Sequence, residues 1–295
     1  MNNLYKLPRA IGHHELIHQL FVLSPYKAGS TMLFDYVKDI CRLLSVKYVS
    51  FPDFVWNAGG DINKSCYEPA NADSIYSRRI VYIGNRQAIS SLSSKTLLGS
   101  RVLMMIRDPR DCLVSKYFSF LGSHTAPAHL SDAAKKTWME NRVKIRTKTN
   151  IDNYVLENAA DYVKNLQEMI SFTKLSGHYL IVRYEDYIQN KKGLCDKIYK
   201  ILSELKRPHQ VPSAMSNIFT WFCHEKSSEH NEDLKKIAEK HDIIPIADRP
   251  DQHVRHALPG DHQAKLQMST IDKLNIIFAP LLSEFGYIKD NSSKT

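Results

Sequence analysis

The sequence predicts an α/β fold, a single domain in which helices flank a central parallel β-sheet. Short apolar runs with the length and composition of buried parallel strands recur along the 295-residue chain, at residues 20–23, 80–83, 102–106 and 179–183. Apolar residues at the spacing of helices predict helices at residues 29–44, 109–121, 151–173 and 192–205. With 43% hydrophobic residues, the chain can form the hydrophobic core that such a fold requires. We expect one domain over residues 1–295, with its core at about 19–288 and a frayed tail at 289–295.

Composition narrows the class of protein. A formal net charge of +9 favours an anionic ligand or partner, and by itself it suits a nucleotide, a nucleic acid or an acidic membrane surface. Five cysteines, widely spaced and never in a CxxC pair, indicate reduced thiols. No apolar run approaches the roughly 20 residues that span a bilayer, and the N-terminus has no apolar signal core. We therefore expect a soluble cytoplasmic protein without stable membrane insertion.

The first predicted strand leads into a turn that suits an anion. The turn and the start of the next helix read SPYKAGST. Ser30 or Thr31 is predicted to cap this helix, so that its first-turn amides and the positive end of its dipole face the turn. Lys27 adds a full charge, and Gly29 lets the backbone approach a ligand closely. The pattern indicates a phosphate cradle, although a tight turn with an exposed lysine has the same local sequence.

The order of residues in this turn distinguishes it from the nucleotide-triphosphate loop GxxxxGK[ST], whose lysine follows the last glycine. The order resembles the 5′-phosphosulfate-binding loop of the sulfotransferases, commonly PKxGTT or PKxGST, with Tyr26 in place of the usual proline. The resemblance implies that five residues bind the donor nucleotide: Lys27, Ala28, Gly29, Ser30 and Thr31.

A second stretch, RDPRDCLVSKYFSF, starts where the third predicted strand ends. It resembles the sulfotransferases' 3′-phosphate-binding segment, in which an arginine at the strand end and a serine eight positions later hold the ribose 3′-phosphate. Here these residues are Arg107 and Ser115. A guanidinium forms a bidentate contact with phosphate, and a hydroxyl adds a short donor. The alternative is that Arg107 pairs with Asp108 or Asp111 while Ser115 faces solvent.

Two later segments resemble the family in part. Tyr184 opens a YED segment after the fourth predicted strand and matches the family's tyrosine near the adenine, unless it only packs on the next helix. An RHALPGD segment stands where the family has RKGxxGDW, a loop that closes over the 3′-phosphate. Arg255 matches, whereas His256, Ala257 and His262 replace lysine, glycine and tryptophan. Loss of the lysine's fixed charge weakens this phosphate clamp unless His256 is protonated or Arg255 suffices.

Segments with little periodicity are expected to border the site. Residues 47–79 are predicted to be a loop or short helices that cover a pocket, and residues 206–251 a mobile lid. The basic segment 123–150 suits either a solvated helix face or the entrance for an acidic substrate. Asn85 and Arg86 follow the strand at 80–83, at the sheet edge where open α/β proteins bind ligands.

The resemblance extends over residues 21–287 and implies a P-loop-NTPase-like sulfotransferase fold. It implies an enzyme that transfers a sulfuryl group from 3′-phosphoadenosine 5′-phosphosulfate (PAPS) to a hydroxyl or amine of a small-molecule acceptor. The resemblance also implies that the product nucleotide is adenosine 3′,5′-bisphosphate (PAP), and that the enzyme requires no metal and has no nucleic-acid partner. Such in-line transfer depends on positioning and charge stabilisation. Lys27 would stabilise charge on the leaving phosphate, while Arg107, Ser115 and Arg255 would anchor the other phosphate.

The acceptor's proton requires a general base. Many cytosolic sulfotransferases use the histidine of a KTHLP-like segment, but the comparable strand end here reads IGNR, and asparagine is not a base. Histidine suits the task because its unperturbed pKa lies near neutral pH. His124, just beyond the helix predicted at 109–121, is the expected base, unless it is only an exposed loop residue. His256 or an acceptor-activated route is the alternative.

Two other functions stay open. His14, Glu15 and His18 match HExxH, and on a helix the two histidines would share a face and bind zinc with the glutamate as general base of a hydrolase. No third ligand follows at the expected distance. A non-catalytic nucleotide-binding or nucleic-acid-binding protein would also suit the basic charge and the altered RHA segment.

Overall fold

A computed structural model describes residues 11–13, 16, 18–121, 126, 130–206, 230–241 and 258–288. Within these residues five strands form one parallel sheet in the order β2-β3-β1-β4-β5. Their bounds are Leu20–Leu23 (β1), Tyr48–Ser50 (β2), Val81–Asn85 (β3), Arg101–Ile106 (β4) and His178–Arg183 (β5). The predicted α/β fold with a parallel sheet is therefore confirmed.

Helices cover both faces of this sheet. Those of the first half are α1 (Ser30–Leu43), α2 (Phe51–Asn57), α3 (Ala72–Ile75), α4 (Ser94–Leu98), α5 (Pro109–Leu121) and α6 (Asp132–Lys148), with a π-helical turn at Asn63–Tyr67. The second half contributes α7 (Ile151–Lys174), α8 (Tyr184–Tyr187), α9 (Lys191–Leu205), α10 (Asn231–Lys240), α11 (Asp261–Lys265) and α12 (Met268–Glu284). No helix among the described residues is both long and apolar enough to cross a bilayer.

The strands are apolar throughout because both sheet faces are buried. Along β1, Leu20 and Val22 point into a core shared with α1, α9 and α10. Phe21 and Leu23 point the other way, into a core shared with α5, α7 and α12. Side chains of a strand alternate between faces, so a strand with helices on both sides reads as a continuous apolar run.

The strand order places a switch point at the centre of the sheet. β1 pairs with β3 on one side and with β4 on the other. The chain passes from β1 to β2 and β3 on one side, then crosses to β4 and β5 on the other. In open α/β sheets ligands bind at the carboxyl ends of the strands beside such a point.

Some predicted boundaries were wrong. β3 continues past Ile83 through Gly84, whose φ of 91° gives an irregular end to the strand that the apolar pattern did not show. β2 lies in the segment predicted to lack strands, because three residues are too short to show a period.

Candidate active site

Four chain segments meet at the carboxyl edge of the sheet. Lys27 lies in the loop after β1, Arg86 follows β3, Arg107 follows β4, and Tyr184 follows β5. The strand order β3-β1-β4-β5 therefore sets these side chains in a row across the edge. The structure brings together Lys27, Arg107 and Tyr184, which the sequence predicted, and adds Arg86, which was noted only as a strand-end residue.

The loop between β1 and α1 depends on left-handed backbone at two residues. Lys27 has φ 69°, and Gly29 has φ 86° and is the N-cap residue of α1. A Cβ atom on Gly29 would lie 2.6 Å from Cδ2 of Tyr184 and 3.1 Å from Sδ of Met105. Only glycine allows both this conformation and this close approach. The loop is thus held against the strand ends of β4 and β5.

The prediction that Ser30 or Thr31 caps α1 was wrong. α1 begins at Ser30 itself, and Gly29, which has no side chain, occupies the N-cap position. No side chain in the described part of the chain caps this end by a hydrogen bond, and its first turn contains no acidic residue. The amides of the first turn and the positive end of the helix dipole therefore face the loop without an internal anion.

Lys27 is held by the helix that follows β4. Its Nζ donates a hydrogen bond of 2.8 Å to Oγ of Ser119 on α5. Burial, together with the nearby charges of Arg86 and Arg107, lowers the pKa of Lys27 to about 8. Sequence reasoning missed Ser119, although it lies four residues after Ser115 and hence on the same face of α5.

Arg107 is a buried cation with incomplete pairing. Its exposed fraction is 5%, and its Nη2 lies 3.7 Å from Oδ2 of Asp111. Its Nε has no hydrogen-bond partner in the described part of the chain. Asp108, the other carboxylate considered as its partner, pairs instead with Arg110 at 2.6 Å. Ser115 is half-buried about two turns along α5.

Tyr184 forms one wall of the site. Its buried ring lies 4.7 Å, centroid to guanidinium carbon, from Arg107, and burial raises the pKa of its phenol to about 12. The neighbouring Glu185 accepts hydrogen bonds from the amide of Asp108 at 2.8 Å and from the hydroxyl of Tyr287 at 3.1 Å. These contacts fix the position of Tyr184 relative to the end of β4.

Asp111 joins α5 to the segment that follows RHALP. This fully buried carboxylate accepts hydrogen bonds from the amide of Gly260 at 2.7 Å, the amide of His262 at 2.9 Å and Nδ1 of His262 at 2.6 Å. Burial alone would raise the pKa of Asp111, but the hydrogen bonds from His262 and the charge of Arg107 outweigh it and lower the pKa to about 2. Sequence reasoning assigned no such role to Asp111.

Arg86 is the added cation. Its guanidinium carbon lies 5.9 Å from the ring centroid of Tyr26 and 5.5 Å from that of Phe34. Its backbone amide donates to the hydroxyl of Tyr67 at 3.0 Å. Among the described residues no carboxylate pairs with this guanidinium. Lys27, Arg86 and Arg107 thus form a row of positive charge that suits an extended anion.

Three predicted site residues, His124, Arg255 and His256, lie outside the described residues, as do His14 and Glu15. His18 is exposed and lies outside any helix, just before β1. His18 therefore does not lie on the helix that the HExxH interpretation requires. Within the described ranges no three His, Cys, Asp or Glu side chains form a group able to hold a metal ion.

A family model matches nearly the whole chain. The model of a family described as "Sulfotransferase domain" matches residues 18–286. No curated protein sequence matches.

Solved structures, of which two examples follow, are similar to this chain at low sequence identity. Mouse sulfotransferase SULT7A1 complexed with PAP is 14% identical, with 92% of this chain and 86% of that chain covered and a TM-score of 0.45. Retinol dehydratase in complex with androsterone and inactive cofactor PAP is 16% identical, with 96% and 84% covered and a TM-score of 0.49.

Proposed function

Because the chain belongs to the sulfotransferase family and is an enzyme of that class, we propose that its sulfuryl donor is PAPS and that its acceptor is a hydroxyl or amine of a small molecule. The observation that carries this proposal is the pair of anion sites at the switch point. One is the uncapped start of α1 with Lys27, and the other is the buried guanidinium of Arg107 with its unpartnered Nε. Two separate sites suit a nucleotide with phosphates at its 5′ and 3′ positions.

The residues present fit this donor. Bound PAPS supplies the sulfuryl group, and the reaction leaves PAP. Lys27 and the amides around Gly29, Ala28, Ser30 and Thr31 surround the 5′-phosphate, while Arg107 and Ser115 hold the 3′-phosphate beside Tyr184. The family model offers no support for the zinc hydrolase or the non-catalytic binding protein.

The chemistry then consists of charge placement and one proton transfer. Lys27 stabilises the 5′-phosphate oxygen that keeps the electron pair as the sulfur–oxygen bond to it breaks and the acceptor's bond to sulfur forms. The ammonium is held for this task by Ser119. His124 stays the proposed base for the acceptor's proton. Arg255 and His256 stay the proposed clamp on the 3′-phosphate.

The anchoring of the nearby chain is consistent with such a clamp. Asp111 holds the backbone at Gly260 and His262, within seven residues of Arg255, and the same carboxylate lies beside Arg107. We also propose a cytoplasmic location, supported by the buried, free thiols of the four described cysteines: Cys41, Cys66, Cys112 and Cys195.

A transfer assay tests the proposal. The purified protein is incubated with sulfur-labelled PAPS and a pooled extract of small molecules, and labelled products are separated from the donor. We expect labelled products with the wild-type protein and a large loss of label with Lys27→Ala, which removes the charge at the 5′-phosphate. Asp272→Asn, exposed on α12, serves as the control variant and should transfer normally. Absence of transfer to any acceptor, with PAP binding also absent, would contradict the proposal.

A further inference from the structure

The row of positive charge formed by Lys27, Arg86 and Arg107 contains one residue, Arg86, that neither anion site uses. Across the sheet edge the order is Arg86 after β3, Lys27 after β1, Arg107 after β4 and Tyr184 after β5. Neighbouring strands of a sheet lie about 4.8 Å apart, so Arg86 and Arg107 flank the Lys27 loop on opposite sides. Of the three cations in this row, the proposed 3′-phosphate site uses Arg107 and the proposed 5′-phosphate site uses Lys27. Arg86 has no part in either.

The surroundings of Arg86 keep its charge available for a ligand. Two aromatic rings, those of Tyr26 and Phe34, lie near the guanidinium, and no described carboxylate pairs with it. A guanidinium is charged at every accessible pH, and Lys27 and Arg107 are positive neighbours whose repulsion an anion would relieve. This group is therefore suited to bind anionic oxygens, not to donate a proton.

The orientation of the bound nucleotide determines which anionic oxygens Arg86 would contact. With the 3′-phosphate at β4 and the 5′-phosphate at β1, the substituent that extends beyond the 5′-phosphate continues along the row toward β3. We propose that Arg86 binds the sulfuryl oxygens of the donor and holds that group on the side of Lys27 away from Arg107. This assignment rests on the proposed function, and it makes Arg86 a residue that distinguishes PAPS from PAP.

A comparison of two nucleotides tests this assignment without any acceptor. The probes are PAP and the PAPS analogue in which a methylene group replaces the oxygen between phosphorus and sulfur, so that no sulfuryl group is lost during the titration. Calorimetric dissociation constants are measured for wild type, Arg86→Gln and Arg86→Lys. Arg79→Gln is the matched control, since Arg79 is an exposed arginine at the opposite, amino end of β3.

We expect Arg86→Gln to weaken binding of the analogue by about tenfold to a hundredfold, the range for a lost charge-assisted contact. Binding of PAP should fall by less than about threefold, because only long-range charge is lost. Arg86→Lys keeps the charge and should recover part of the analogue's affinity. The backbone contact of Arg86 to Tyr67 does not depend on the side chain, so each variant should keep the fold.

Equal effects on the two nucleotides, or none, would overturn the role of Arg86 while leaving the donor assignment intact. A wild-type protein that binds neither nucleotide would overturn the proposed function itself. If Arg86→Gln does not fold, Arg86→Lys is compared with wild type, and a loss of analogue affinity larger than the loss of PAP affinity supports the contact, because lysine lacks the bidentate geometry of the guanidinium. Equal losses of affinity for the two nucleotides in Arg86→Lys, or no loss, overturn it.

Discussion

Replacement of Asp111 by asparagine should destabilise the protein in a pH-dependent way. The carboxylate is fully buried, accepts three hydrogen bonds from Gly260 and His262, and lies beside Arg107. Its pKa in the folded protein is about 2, below the ordinary value of 3.8. A lowered pKa means that ionisation favours the folded state, so the stabilisation is present above pH 4 and is lost as the pH falls toward 2.

The size of the effect follows from that shift. A difference of nearly two pKa units corresponds to about 2.5 kcal/mol at pH 7, falling to roughly half of that at pH 3. Urea unfolding followed by tryptophan fluorescence at pH 7, 5, 4 and 3 should show this difference between wild type and Asp111→Asn. Asp272→Asn, exposed on α12, should leave stability within about 0.5 kcal/mol. A deficit of the same size at pH 7 and pH 3 would refute the role assigned to the buried charge.

Three further predictions concern the nucleotide site. Arg107→Ala should weaken PAP binding more than Ser115→Ala does, and neither change should affect binding of the 3′-dephosphorylated nucleotide. Equal losses of affinity for the two nucleotides in a titration would overturn the 3′-phosphate assignment. Lys27→Ala should lower turnover in steady-state assays by about 10²-fold to 10³-fold, with a smaller loss of PAP affinity. Ser119→Ala should lower turnover by about tenfold or less. Normal turnover in Lys27→Ala would contradict the role proposed for Lys27. Gly29→Ala should cost about 1–3 kcal/mol in urea unfolding because of its φ of 86° and the 2.6 Å contact, and wild-type stability would contradict this.

The sequence predicted the fold because burial on both sheet faces leaves a local signal. Four of the five described strands appear as continuous apolar runs, and α1, α5, α7 and α9 show helical spacing. β2 was missed because three residues carry too little pattern, although pairing with β3 stabilises it in the folded protein. The end of β3 was placed too early because Gly84 is normally a strand breaker.

Parts of the site were predictable for a different reason. Lys27, Gly29, Arg107 and Tyr184 sit in local motifs at strand ends, where the chemistry of a few neighbouring residues is visible in sequence. The contacts of Asp111 with Gly260 and His262 join residues about 150 positions apart, and no local pattern reports them. The same holds for the contact between Lys27 and Ser119, which depends on how α5 crosses the loop after β1.

The most direct test of the account is a titration of the wild-type protein with PAP and with adenosine 5′-monophosphate, which lacks only the 3′-phosphate. If Arg107 and its neighbours hold that phosphate, PAP should bind more tightly by at least about tenfold, the loss expected for one charge-assisted contact. Raising the ionic strength should reduce the preference only modestly, because Arg107 is buried. Equal affinity for the two nucleotides would contradict the assignment of a second phosphate site and, with it, the proposed donor.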